Sequence, residues 1–265
     1  MKSDQARDAC IRRFVKAHRL AIRVGTHVAQ QDPAKTRELA LDFLQSVRPH
    51  LSAFADKSLI LNMDQTPIFF SMEPKRTLEP VESKSVNIRT SCGSTLRVTV
   101  AVTVSADGQV LPPLIIFKGT RSGKTAKTLG SFPEGAEYLC QENAWMDESS
   151  MLYWVDKVLE PYVKTRMEGE NTKLCGIFLD SYRCHLMSRV VSAIQNLGVE
   201  VQHIPGGCTG LVQPVDVGIG KPLKDRFRCF WDEWMVQQFE DAEVDKQKIN
   251  PPSRELLSQW ILTLT

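Results

Sequence analysis

The sequence predicts an α/β domain, a mixed sheet flanked by helices, with a short helical extension at its N-terminus. Three observations predict it. Residues 97–104 (Arg97-Val98-Thr99-Val100-Ala101-Val102-Thr103-Val104) are rich in β-branched side chains and run into Asp107-Gly108, a pair that favours a tight hairpin turn. After residue 170, short apolar runs alternate with a helical pattern, and strands joined through a helix run parallel. The first 54 residues instead carry apolar residues at helical spacing.

In chain order, Ile11, Phe14, Val15 and Leu20 form one helical stripe and Leu39, Phe43, Leu44 and Val47 a second. Asp32-Pro33 supplies a cap and a first-turn proline, and Pro49 is expected to end the pattern. Leu59-Ile60-Leu61-Asn62-Met63 reads as a covered strand ending at Asp64. Residues 110–117 read as the strand returning from the hairpin, and Pro112-Pro113 asks for an edge or a bulge there. Over 147–167, Leu152, Val155, Val158 and Leu159 repeat at helical spacing, with Pro161 expected to kink or break the helix. A buried strand over 174–179, a helix over 188–197 closed by Gly198 and a strand over 199–204 follow. A last long helix is expected from Pro222 or Leu223 to Phe239, and a further one over 255–264.

The chain has 265 residues, 42% of them hydrophobic, and a formal charge of +2, which suits one large domain with a core. The charge is uneven. Arg7, Arg12, Arg13, Lys16, Arg19 and Arg23 face only Asp8 within their stretch, and Lys118, Arg121, Lys124 and Lys127 form a second basic segment. Glu240, Asp241, Glu243 and Asp245 gather late. Basic segments are ordinarily solvated faces, but near a carboxylate site they suit a polyanion. Seven scattered cysteines (Cys10, Cys92, Cys140, Cys175, Cys184, Cys208, Cys229) include no CxxC pair, which argues against a zinc ribbon or a disulfide framework. No run is long enough to span a membrane and no signal-peptide core follows Met1, so a soluble intracellular protein is expected.

Three stretches carry the chemistry: Leu61-Asn62-Met63-Asp64-Gln65-Thr66, Ile177-Phe178-Leu179-Asp180-Ser181-Tyr182 and Gln213-Pro214-Val215-Asp216-Val217-Gly218. Each sets an aspartate at a strand end or beside a Pro/Gly corner. Taken singly, Asp64 reads as an Asx-turn residue, Asp180 as a local cap and Asp216 as a helix N-cap. Taken together they suggest a shared ligand, because a buried carboxylate is costly unless paired or bound to metal. If the strands bearing Asp64 and Asp180 are parallel neighbours, the two acids face one another where α/β sheets bind ligands. Hard oxygen donors suit Mg²⁺, and two such ions about 3.5–4 Å apart can serve both oxygens of a phosphodiester displacement.

The chain resembles the DDE superfamily endonuclease domain of mariner/pogo-type transposases, with the jerky-like and centromere-protein-B-like relatives, over about residues 55–240. Asn62-Met63-Asp64-Gln65-Thr66 is similar to the first-acid motif. Leu179-Asp180-Ser181, with His185 five positions after the acid, is similar to the second. Thr209 and Leu211-Val212-Gln213-Pro214-Val215-Asp216-Val217-Gly218 are similar to the third. Residues 114–119 and Trp145-Met146 match further landmarks. Gln65 and Ser181 stand where the family often has glutamate and asparagine. The resemblance implies an RNase H-like fold, an Asp64/Asp180/Asp216 triad as catalytic residues and metal ligands, and two Mg²⁺ or Mn²⁺ ions. It also implies DNA, transposon ends and target, as substrate, cut by metal-activated water before the freed 3′-OH attacks. A nuclear setting follows, and a homodimer is the candidate assembly. Ile11 to Leu20 is similar to the last helix of the helix-turn-helix domain that precedes this core. The expected organisation is therefore 1–54, a helical remnant and linker; 55–240, the catalytic domain; and 241–265, a truncated helical tail, with the chain expected to be a fragment or a decayed copy. The alternative is a non-enzymatic chromosomal DNA-binding or scaffold protein derived from such a transposase. An RNase H-type nuclease acting on RNA is a third reading.

Other signals weigh less. Gly119-Thr120-Arg121-Ser122-Gly123-Lys124-Thr125 has three residues between its glycines where a P-loop needs four. His185 reads either as a local hydrogen-bonding residue or as one orienting substrate or water near Asp180. Cys184-His185 with Cys175 or Cys208 fits no ordinary zinc spacing. Phe227, Phe230, Trp231 and Trp234 read as core or a lid on it, and Gln213 as a residue beside the metal loop.

Overall fold

The structure, a computed structural model, describes residues 4–18, 32–72, 96–167, 174–241 and 250–265. The chain divides into two compact units, 1–36 and 37–265. The first contains helix α1 (Asp4–Ala17), with Arg12, Arg13 and Lys16 exposed. Phe14, expected on an apolar stripe, is also exposed, its ring 4.3 Å from that of His18. The side chains of Ile11 and Val15, and all of Leu20, lie outside the described residues.

Helix α2 (Pro33–Ala53) starts as expected: the Ala34 N–H donates to Asp32 Oδ1 at 3.0 Å. It does not end at Pro49. That residue is exposed, so the carbonyl a turn earlier, which loses its intrahelical donor, faces water. A capped 3₁₀ turn (Lys57–Leu59) then feeds strand β1 (Ile60–Phe69). The sheet continues with β2 (Arg97–Ser105), β3 (Leu114–Lys118), β4 (Glu137–Gln141), β5 (Cys175–Asp180) and β6 (Val199–Ile204), in the order β4-β3-β2-β1-β5-β6. Neighbours β1/β2 and β2/β3 are antiparallel; β3/β4, β1/β5 and β5/β6 are parallel.

Four expectations need correction. Strand β1 does not stop at Asp64 but runs through Pro67 to Phe69. Its pairing with β5 ends at Asn62↔Phe178, so Pro67 has no ladder on that side to interrupt. The return from the hairpin is one bridge, Val104↔Val110, before the proline pair, with β3 proper beginning after it; β3 is interior, not an edge. The edge on that side is β4, whose five residues carry too little alternation to be seen in sequence. The helix over 147–167 does not break: α4 (Glu148–Trp154), a π turn (Val155–Leu159) and α5 (Glu160–Met167) follow without interruption. The π turn, closed by the Glu160 N–H on the Val155 carbonyl, lies just before Pro161, whose ring offers no N–H.

Beyond the short α3 (Lys124–Thr128), the remaining helices are α6 (Ser188–Gln195), α7 (Thr209–Val212), α8 (Gly220–Asp241) and α9 (Arg254–Leu264). A π turn (Val215–Ile219) leads into α8, so the last long helix opens earlier than its proline suggested. Gly198 closes α6 with φ 75°, a left-handed turn that glycine adopts without steric cost.

The strand pleat divides the core. Leu61, Met63, Ile177 and Leu179 pack under α4 to α6, with Met151, Trp154, Val190 and Ile194. Val98, Val100, Val102 and Phe117 pack on the other side with Leu223, Phe227 and Trp231 of α8 and Leu257 and Ile261 of α9. Burying Phe227 completely is worth about 1.5–3 kcal/mol. Phe178 and Ile204 meet Ala40 and Val47 of α2. Trp234 packs edge-on against Trp260, so the aromatic set of α8 is core closed by α9.

Candidate metal centre

Asp64 and Asp180 keep the offset of the β1/β5 register, in which Asn62 lies beside Phe178. Two residues on from a paired position, side chains return to the same face of the sheet. Both acids therefore leave the sheet on one side, just where the two strands stop pairing. Asp216 arrives from the π turn that leads into α8.

One buried amide joins the three segments. Asn62 is 4% exposed; its Nδ2 donates to the Phe178 carbonyl at 2.9 Å and its Oδ1 accepts the Val215 N–H at 3.0 Å. It thus ties the first-acid strand to the residue two before Asp180 and to the residue before Asp216. The clue in the sequence is a polar residue inside a covered apolar strand, which must find partners on both of its amide atoms.

The electrostatics report the convergence. Burial, then the charge of Asp216 and that of Asp180, push Asp64 up to about 7, against the pull of the Gln65 N–H on its carboxylate at 2.7 Å. Asp64 and Asp216 also lie within hydrogen-bonding reach of each other. Asp180 is different. Burial opposes its charge, but His185 Nδ1, 2.5 Å from Oδ1, and the Tyr182 N–H at 3.1 Å outweigh it and hold its pKa below the ordinary carboxylate value. His185 is wholly buried, and Gln65 Nε2 donates to its other ring nitrogen at 2.7 Å, which leaves Nδ1 to carry the proton toward Asp180. A chain Gln65–His185–Asp180 thus connects the first two motifs.

Among the described residues no three His, Cys, Asp or Glu side chains form a ready coordination cage. Asp216 reaches Asp64 by charge and hydrogen bond, while Asp180 acts on Asp64 through its charge and is itself engaged by His185. The donor set nonetheless suits a hard divalent cation: carboxylate oxygens alone, with mutual repulsion that a positive charge relieves. The Gln213 amide, fully buried three residues before Asp216, has no hydrogen-bond partner among the described residues on either polar atom. Burial pushes the Cys175 and Cys184 thiols up to about 12, as inert buried thiols rather than zinc-binding thiolates. Gly119–Thr125 leads only into the five-residue α3, too short for a phosphate-binding P-loop helix.

The sequence model of the DDE superfamily endonuclease family matches residues 95–254, more than half of the chain. The chain belongs to this family. The matched segment includes Asp180 and Asp216 and begins after Asp64. Among curated relatives of this DDE protein, "Pogo transposable element with KRAB domain" is 31% identical over 230 residues in Mus musculus and 30% identical over 230 residues in Homo sapiens. Each alignment covers 85% of the chain and 36% of the relative, so the chain spans about a third of their length. The solved Mos1 mariner paired end complex with Mn matches 97% of this chain and 67% of its own, at TM-score 0.54 and 14% identity. That likeness shows the fold, the RNase H-like mixed sheet flanked by helices. Among the described residues no helix is long and apolar enough to cross a membrane.

Proposed function

We propose that this DDE protein is the catalytic part of a mariner/pogo-type transposase, a divalent-metal-dependent DNA endonuclease and strand transferase. Asp64, Asp180 and Asp216 are its metal ligands and catalytic residues, and two Mg²⁺ or Mn²⁺ ions its cofactors. The observation that carries the reading is the pocket electrostatics: Asp64 is raised to about 7 by its burial and then by the charges of Asp216 and Asp180, which reach it from far along the chain. Perturbed carboxylates gathered in this way are what a metal-assisted phosphodiester site needs. When bound, such cations supply a polarised water and a positive field for the phosphate oxygens.

The chain's own residues do the rest. Asn62 fixes the spacing of the three segments. His185, oriented by Gln65, keeps Asp180 ionised near neutral pH despite its burial. Asp64, held protonated up to about pH 7 by its burial and by the charges of Asp216 and Asp180, is free to act as a carboxylate above it. Within this reading, 1–54 is the remnant of a helix-turn-helix domain with its linker, 55–240 the catalytic domain and 241–265 the tail. DNA, as transposon ends and target, is the partner, the nucleus the setting, and a homodimer the assembly that pairs two ends.

The test is nicking of supercoiled DNA in Mg²⁺ or Mn²⁺. The wild-type chain should nick and Asp180→Asn should be at least about 100-fold slower. Equal nicking by both would reject the assignment. DNA binding without nicking by either protein would favour the non-enzymatic DNA-binding descendant.

A further inference from the structure

Beside the acids lie two hollows that this assignment leaves unused. One, of about 270 Å³, opens at Gln65, next to Asp64, and reaches Tyr182, two residues past Asp180. The other, of about 300 Å³, includes Lys118 at the end of β3. Arg97 and Trp145 line both and form the wall between them. The Arg97 guanidinium lies 5.6 Å from the centre of the Trp145 ring, a cation–π contact, and its charge is felt at Tyr182. Trp145 is nevertheless 53% exposed and Tyr182 37% exposed.

The exposure is built. Ala144, just before Trp145, adopts φ 55°, a left-handed conformation that strains a residue with a Cβ. Four hydrogen bonds hold it there. The Thr99 hydroxyl donates to the Ala144 carbonyl at 2.6 Å, and the Ala144 N–H donates to the Gln141 carbonyl at 3.0 Å. Gln141 Oε1 accepts the N–H groups of Asn143 and Trp145 at 2.7 and 3.0 Å. Strain that surroundings over-determine to this degree marks a presented side chain, and here it presents an indole to solvent.

We propose that this wall is a nucleotide subsite: the base of an unpaired nucleotide next to the scissile phosphate stacks on Trp145, and Arg97 and Lys118 take the adjoining phosphates. The inference rests on the nuclease reading for the scissile phosphate, and its ligand class rests on the surface itself. An exposed aromatic flanked by two cations matches the face and the charge of an unstacked nucleotide. A base inside a duplex offers no free face, so the subsite prefers single-stranded or frayed DNA.

The experiment is fluorescence anisotropy with the whole chain in EDTA. The probes are a labelled twelve-nucleotide oligo-dT and a labelled duplex, and the proteins are wild type, Trp145→Ala and Trp145→Phe. Trp145→Ala should weaken oligo-dT binding at least about fivefold, Trp145→Phe should recover most of it, and duplex affinity should not change. Unchanged oligo-dT binding in Trp145→Ala, an equal loss on the duplex, or no oligo-dT binding by wild type would each overturn the subsite. Nicking by the same preparations separates the two claims. Trp145-dependent binding without nicking sinks the nuclease reading alone, and nicking with Trp145-independent binding sinks the subsite alone.

Discussion

Asp64 shows what the pocket costs the fold. Its native pKa of about 7 lies above its ordinary 3.8, so the native state holds a proton that the unfolded chain gives up between those values. The stability that goes with this proton is present in full below about pH 3.8 and is lost as pH rises through about 7. At roughly 1.4 kcal/mol per unit the cost above that range is on the order of 4 kcal/mol. Asp64→Asn removes the charge and keeps the shape. It should be more stable than wild type by a few kcal/mol in urea unfolding at pH 8, with the gap narrowing toward pH 4. Asn62 gives the opposite result. Asn62→Ala strips two buried hydrogen bonds and orphans the Val215 N–H and the Phe178 carbonyl, a loss of about 2–4 kcal/mol in the same assay at any pH. Asp64 and Asp180 stood out in the sequence as acids at the ends of apolar strand runs, and Asp216 as an acid beside a Pro/Gly corner. The part Asn62 plays did not, since its partners lie 116 and 153 residues away. His185 was readable as a local hydrogen-bonding residue near Asp180, but its second bond, to Gln65, depends on how β1 and the segment after β5 meet.

At the scale of elements, five of the six strands could be read because β-branched runs and turn pairs are local signals. The sixth, β4, is too short to show alternation, and the helix boundaries expected at Pro49 and Pro161 fail for another reason. Pro67 in β1, Pro49 in α2 and Pro161 behind a π turn are all tolerated because the missing N–H faces water, an unpaired strand side or a widened turn. Glycine is stricter where an element is approached closely. Gly176 of β5 lies against Phe54, just beyond α2, and a Cβ there would come within 2.6 Å of the Phe54 ring. Gly176→Ala should destabilise the chain by about 1–3 kcal/mol, read as a lower urea midpoint with an unchanged slope.

For the whole molecule, the account assigns the sheet a single purpose. Parallel β1 and β5 bring Asp64 and Asp180 to one face, the π turn before α8 brings Asp216 within reach of Asp64, and α9 closes the apolar layer beneath α8. Lys118 at the end of β3, and Lys124 and Lys127 after it, are exposed cations of the kind that suit a polyanion. The most direct measurement of the central claim is a calorimetric titration of Mn²⁺ into the whole chain at pH 8. It should be run on wild type and on Asp64→Asn, Asp180→Asn and Asp216→Asn. The account predicts saturable uptake by wild type, with proton release that grows as pH is lowered toward 7, and at least about tenfold weaker binding in each variant. Identical Mn²⁺ binding by all four proteins, or none by wild type, would contradict it.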